Sequence, residues 1–135
     1  MSEKVHFIII DDSELDCYIA EKLIKHTVKS NTIRTFTLAE EALKYISSSQ
    51  TETGKTIVLL DVLMPIMSGF QFVEEFEKMP LEIQEKFMII ALTTSLNKND
   101  FNKIRSYRSV SNLLDKPLTP ELLLPMLEGV GLEKK

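Results

Sequence analysis

The sequence predicts a doubly wound α/β protein, and three features of it point that way. Short, continuously apolar runs recur along the chain, segments with helical spacing separate them, and acidic, hydroxyl or basic residues directly follow most of the runs. A run that is apolar at every position leaves no face for water, which is the condition of a parallel strand covered by helices on both sides. Strand–helix alternation with right-handed crossovers then gives a (βα)5 chain with the flavodoxin-like strand order 2-1-3-4-5.

Val5 to Ile10 is the first strand, apolar except for His6. The first helix follows behind Ser13 as cap and Asp16 three residues on, with Leu15, Ile19 and Leu23 on one face. Thr32 to Phe36 is less apolar and suits an edge strand. Thr37 with Glu40 repeats the capping signature ahead of Ala39, Ala42, Leu43 and Ile46, which share a face at a period near 3.6. Ile57 to Leu60 is the third strand, and Phe72, Val73 and Phe76 mark the third helix after Gly69. Met88 to Leu92 is the fourth strand; Phe101, Ile104 and Tyr107 or Arg108 mark the fourth helix behind Asn97 and Asp100. Val110 to Leu114 is the fifth strand, and Thr119 opens the last helix with Pro120 in the tolerated first position. Pro125 removes a hydrogen bond from that helix at a cost of ~3 kcal/mol, so a kink or a late start is expected.

A chain of 135 residues has the length of one domain. We expect a single domain over 1–135, with a core from about residue 4 to 129 and a tail, 130–135, too short for an output domain. Hydrophobic residues at 44% and charged residues at 27% fit a soluble, packed protein. The net charge of -4 gives no general attraction for nucleic acid. Cys17 is the only cysteine, which excludes an internal disulfide and a four-cysteine zinc site. The amino-terminal residues lack the basic flank and longer apolar stretch of a signal peptide, and no apolar run reaches the ~20 residues that span a bilayer. A cytoplasmic protein without membrane contact is expected.

Parallel strands all end on one edge of the sheet, so residues just after different strands converge although distant in sequence. Asp11 and Asp12 follow strand one, Asp61 strand three, Thr93 and Thr94 strand four, and Asp115 and Lys116 strand five. Three carboxylates in one partly desolvated crevice repel each other unless a cation joins them. Mg²⁺ suits such a site because it takes oxygen ligands and keeps several waters. Asp12 and Asp61 are the candidate direct ligands, the Leu63 carbonyl a third, and Asp11 acts through a metal-bound water. Phosphoryl transfer needs an in-line nucleophile and charge neutralisation. Asp61 supplies the nucleophile, Lys116 an ammonium beside one phosphoryl oxygen, and Thr93 a hydroxyl for another.

These residues, in this order, resemble the response-regulator receiver family over nearly the whole chain. The motifs are Ile10-Asp11-Asp12, Leu60-Asp61-Val62-Leu63-Met64-Pro65 with Gly69 beyond it, Leu92-Thr93-Thr94, and Asp115-Lys116-Pro117. The resemblance implies that a histidine kinase or phosphotransfer protein donates to Asp61, and that catalysis is limited to the protein's own phosphorylation and dephosphorylation. It also implies a downstream protein target, a kinase-docking face on the first helix, and a cis Lys116–Pro117 peptide. In typical receivers Thr93 moves toward the phosphoryl group and a strand-five aromatic turns inward. That aromatic's place holds Leu113, a departure that leaves Leu113 to repack instead.

Other readings compete. A binding module that keeps this fold without phosphorylation is the alternative, and retention of Asp11, Asp12, Asp61, Thr93 and Lys116 speaks against it. A phosphatase of the haloacid dehalogenase type would want an acid two residues after its nucleophile, where Leu63 stands. Gly54-Lys55-Thr56 imitates the end of a phosphate loop, but the earlier glycine it needs is Ser49, and a strand follows instead of a helix. His6 and His26 lack metal-ligand spacing, and Cys17 is expected to pack as a small core or boundary residue.

Overall fold

A computed structural model describes residues 5–28, 31–48, 56–64, 67–94, 97–116 and 118–128. The strands are β1 (Val5–Ile10), β2 (Asn31–Phe36), β3 (Thr56–Asp61), β4 (Phe87–Thr93) and β5 (Val110–Asp115). They form one parallel sheet in the order β2-β1-β3-β4-β5, as the alternation predicts. Every position of β3, the central strand, is buried. The helices are α1 (Glu14–Thr27), α2 (Ala39–Ser48), α3 (Gly69–Phe76), α4 (Leu81–Gln84), α5 (Lys98–Ser106) and α6 (Pro120–Glu128).

Alternate strand residues divide the core into two layers. Ile8, Ile10, Val58, Leu60, Ile89 and Ala91 meet α2, α3 and α5 through Ala42, Ile46, Phe72, Val73, Phe76 and Ile104. Phe7, Ile9, Ile57, Leu59, Ile90 and Leu92 meet α1 and α6 through Cys17, Ala20, Ile24, Leu123 and Leu127.

Three local expectations are corrected. First, α1 does not bury the Leu15–Ile19–Leu23 stripe: Cys17, Ala20, Ile24 and Thr27 face inward, while Leu15 and Ile19 are exposed and Leu23 is half-buried. The helix carries apolar residues on two stripes, and the one with small Cys17 and Ala20 lets its backbone lie closer to the sheet. Second, a sixth helix, α4, stands between α3 and β4. It starts just after Pro80 and is anchored by buried Gln84, whose Nε2 donates to the carbonyls of Glu77 (3.1 Å) and Met79 (2.7 Å). Third, of the kink or late start expected at Pro125, the late start does not occur, since α6 already begins at Pro120. Pro125 lies inside α6 on an exposed position, where water can serve the carbonyl that loses its bond.

The caps mostly follow the sequence. Ser13 Oγ accepts from the Asp16 amide and Asn97 Oδ1 from the Asp100 amide. Ser68 and Gln71 form a reciprocal capping box for α3 that the sequence reading did not single out. A fourth expectation also fails: Thr37 does not cap α2, whose Glu41 and Ala42 amides donate to the Leu38 carbonyl.

Candidate functional site

The register assembles the site as a staircase. Ile10 lies opposite Leu60, so Asp11 emerges beside Asp61. Asp61 lies opposite Leu92, so Thr93 stands one step further on. Thr93 lies opposite Asp115, and Lys116 follows. Along β4–β5, Ile89 pairs with Val110 but Ile90 with Asn112, so Ser111 is an extra, bulged residue. That one-residue shift sets the side to which each later β5 residue points. Leu113 joins the α2–α3–α5 layer and Leu114 the α1–α6 layer. Lys116, two residues beyond Leu114, therefore faces the start of α1.

Asp11 and Asp61 are buried and Asp12 is exposed, and carboxylate oxygens of the three lie within 4.8 Å of one another. Lys116 Nζ donates to Asp11 Oδ2 at 2.6 Å and to Asp16 Oδ2 at 2.9 Å, and stands 3.7 Å from Asp61 Oδ2. The second oxygens of Asp11 and Asp61 are held by the backbone: the Ser13 amide donates to Asp11 Oδ1 (3.0 Å) and the Leu63 amide to Asp61 Oδ1 (3.2 Å). The Lys116 amide donates to the Thr93 carbonyl (2.8 Å), which locks the ends of β4 and β5 together. Thr93 is buried at the same edge, next to exposed Thr94. Asp11, Asp12, Asp61 and Lys116 thus share one crevice, with Thr93 at the same sheet edge. Pro65 and Pro117 lie outside the described residues, as do Gly54 and Lys55, so the cis-peptide and loop-mimic expectations fall there.

Electrostatics mark Asp61 as the unsettled member. Burial first, then the Asp11 charge, push its carboxyl up to about 7, against the pull of Lys116 and the Leu63 amide. Burial alone would lower the Lys116 ammonium, but its bonds to Asp11 and Asp16 overcome this and raise it above the usual lysine range. The Cys17 thiol is pushed up to about 11, by burial first and then by Asp11 and Asp16; it donates to the Asp11 carbonyl and is a packing residue, as expected. A stability prediction follows for the metal-free protein. Asp61 has its ordinary value of 3.8 when unfolded and about 7 when folded, so between these the native state binds the extra proton. The contribution of Asp61 therefore becomes less favourable as pH rises from about 4 through about 7, by about 2–4 kcal/mol in all. Urea midpoints measured across this range in EDTA should show the fall in wild type, and Asp61→Asn should remove it.

The sequence reading placed Asp16 only as a capping residue. Ser13 takes its amide, and its carboxylate goes to Lys116. His6, read as structural, hydrogen-bonds Thr32 between β1 and β2 (2.6 Å). Among the described residues no helix is long and apolar enough to cross a membrane.

A doubly wound parallel sheet with a carboxylate cluster and a buried lysine at its carboxyl edge defines a class of α/β protein built around an acidic crevice. Residues 7–128 match the family model of the response regulator receiver domain, and the chain belongs to that family. It is 27% identical to two-component response regulator 24 of Arabidopsis thaliana over 128 residues, which cover 95% of this chain and 85% of that protein. A response regulator receiver protein of Dyadobacter fermentans has a similar structure, with a TM-score of 0.85 and 27% identity, covering 96% of this chain and 99% of that one. A two-component response regulator of Cytophaga hutchinsonii shares the fold, with a TM-score of 0.81, 21% identity, and coverage of 95% and 98%. The chain is thus a receiver domain of two-component signalling, a signalling module whose family works with histidine kinases or phosphotransfer proteins and binds Mg²⁺ at an acidic cluster.

Proposed function

We propose that Asp61 is the phosphoacceptor and that a phosphohistidine protein, a kinase or a phosphotransfer protein, is its donor. The observation that carries this reading is the convergence of Asp11, Asp12 and Asp61 within 4.8 Å, with Lys116 Nζ 3.7 Å from Asp61 Oδ2. In the transfer an Asp61 carboxylate oxygen attacks phosphorus, the phosphorus–nitrogen bond of the donor breaks, and its electron pair stays on the imidazole, which takes up a proton. The product is an aspartyl phosphate.

The donor set fits magnesium: all its atoms are oxygens, and the Asp61 carboxyl, raised first by burial and then by the Asp11 charge, is a group that a nearby cation would return to its ionised form. Asp12, Asp61 and the Leu63 carbonyl would hold the ion, with Asp11 reaching it through a water, and it would supply positive charge to offset that of the carboxylates and the incoming phosphoryl group. Lys116 neutralises a phosphoryl oxygen, and Thr93 donates its hydroxyl to another. Asp11 orients through both its oxygens, since one is already fixed by the Ser13 amide. Leu113, half-buried against the α2–α3–α5 layer, repacks as the crevice changes charge, and the altered face meets a downstream protein.

Incubation with Mg²⁺ and acetyl phosphate, followed by intact mass, tests the acceptor. Wild type should gain one phosphoryl group and Asp61→Asn none; equal gain by both would contradict the reading. Leu63 is 47% exposed beside the acceptor, and its apolar side chain cannot orient attacking water. Leu63→Asn is therefore expected to shorten the aspartyl-phosphate half-life several-fold, about 1 kcal/mol of barrier. A half-life equal to or longer than that of wild type would count against this role.

A further inference from the structure

A lysine ammonium has three N–H donors, and the fold engages two of those of Lys116 without any phosphoryl group. Asp11 Oδ2 takes one at 2.6 Å and Asp16 Oδ2 another at 2.9 Å, whereas Asp61 Oδ2, at 3.7 Å, is within ion-pair range but beyond a hydrogen bond. We propose that Asp16 is a positioning residue for phosphoryl transfer: it grips Lys116 from the α1 side, so that the remaining N–H is held toward Asp61. The proposal rests on Asp61 being the acceptor.

The placement of Asp16 is built into the fold. Ser13 Oγ accepts from the Asp16 amide and fixes where α1 begins, and the Ser13 amide in turn donates to Asp11 Oδ1. The first turn of α1 is thereby tied to the acidic edge, and Asp16 meets a lysine 100 residues away. The Ser111 bulge points Lys116 to this side of the sheet. Beneath the pair lies a cavity of about 250 Å³ with an apolar floor of Ile9, Ala20, Leu59, Leu92 and Leu118. The Lys116 side chain is 13% exposed and that of Asp16 41%, so it is burial of the ammonium that strengthens the bond between them.

Asp11 holds the lysine from one direction only. One of its oxygens is committed to the Ser13 amide, and the other would be shared with a metal-bound water. Asp16 has no such second duty among the described contacts, since its carboxylate bonds only Lys116. A four-carbon stem is flexible, and anchoring the head group from two directions removes the search for a productive orientation before the donor arrives.

A double-mutant cycle separates this role from a structural one. Initial rates of phosphoryl uptake from acetyl phosphate at saturating Mg²⁺, read by intact mass, are compared for wild type, Asp16→Ala, Lys116→Ala and the double variant. In this assay Asp61 attacks phosphorus, the bond to the acetate oxygen breaks, and acetate leaves. Asp16→Ala should be about tenfold slower than wild type, the scale of effect expected from misplacing a catalytic group. The double variant should match Lys116→Ala alone, because Asp16 has nothing to position once the lysine is gone. Wild-type speed in Asp16→Ala, or the same tenfold loss in both backgrounds, would overturn the proposal. A wild-type chain that takes up no phosphoryl group would instead overturn the acceptor reading itself.

Discussion

Lys116→Ala is expected to slow phosphoryl uptake by Asp61 by about 100-fold or more, the range found when a charge-stabilising donor is removed from a reacting centre. The same substitution should lower stability at neutral pH in metal-free buffer by about 3 kcal/mol, because it leaves buried carboxylates without their cation. Side-chain exposure is 13% for Lys116, 5% for Asp11 and 9% for Asp61, so water entering the space left by the lysine replaces its charge only in part. The deficit has a predictable sign with pH. Without the ammonium the Asp61 carboxyl rises above its already raised value, and protonation relieves the repulsion. The gap between variant and wild type should therefore narrow as pH falls toward 5 and widen toward 8. Urea midpoints at the two pH values check this; a gap independent of pH would show that lost packing, and not unpaired charge, is responsible.

Gly69→Ala should destabilise the protein by about 3 kcal/mol, at the upper end of overpacking effects. A Cβ at this position would lie 2.7 Å from Val62 Cα, 3.1 Å from the Asp61 carbonyl oxygen and 3.2 Å from the Val62 carbonyl oxygen. All three are backbone atoms, so no side-chain rotation can relieve the contact. The Gly69 amide also donates to the Val62 carbonyl at 2.9 Å, which closes the β3–α3 connection onto the residue after the acceptor. Opening that connection displaces Asp61, and phosphoryl uptake should fall along with the urea midpoint. A Gly69→Ala protein with an unchanged midpoint would mean that the connection is looser than its geometry shows.

Much of the site can be read from the chain, because parallel topology does most of the assembly. Asp11 and Asp61 directly end or follow uninterrupted apolar runs, and no side-chain detail is needed to bring them to one edge. Lys116 is legible as a member of that edge but not as a neighbour of α1, since its side depends on the one-residue bulge at Ser111, which apolar patterning does not reveal. Asp16 is hidden for a related reason. Its direction depends on which stripe α1 buries; Leu15, Ile19 and Leu23 make the larger stripe, yet the smaller residues Cys17 and Ala20 lie against the sheet. The four-residue helix α4 is too short for periodicity, and its anchor, Gln84, is a polar residue buried by backbone bonds that only the folded chain supplies. Pro125 argues for a late start that the folded chain does not need. The carbonyl that Pro125 leaves without a helical partner is that of exposed Glu121 in the first turn, where water can serve it, so the helix does not need to start after the proline.

The central claim, that this crevice exists to load phosphorus onto one carboxylate, can be tested at the level of the bond. Borohydride reduces an acyl phosphate to an alcohol, so treating the acetyl-phosphate-loaded protein and mapping its peptides should find homoserine in place of Asp61. Homoserine at Asp11, Asp12 or elsewhere, or a phosphoryl group on a hydroxyl that borohydride leaves untouched, would contradict it.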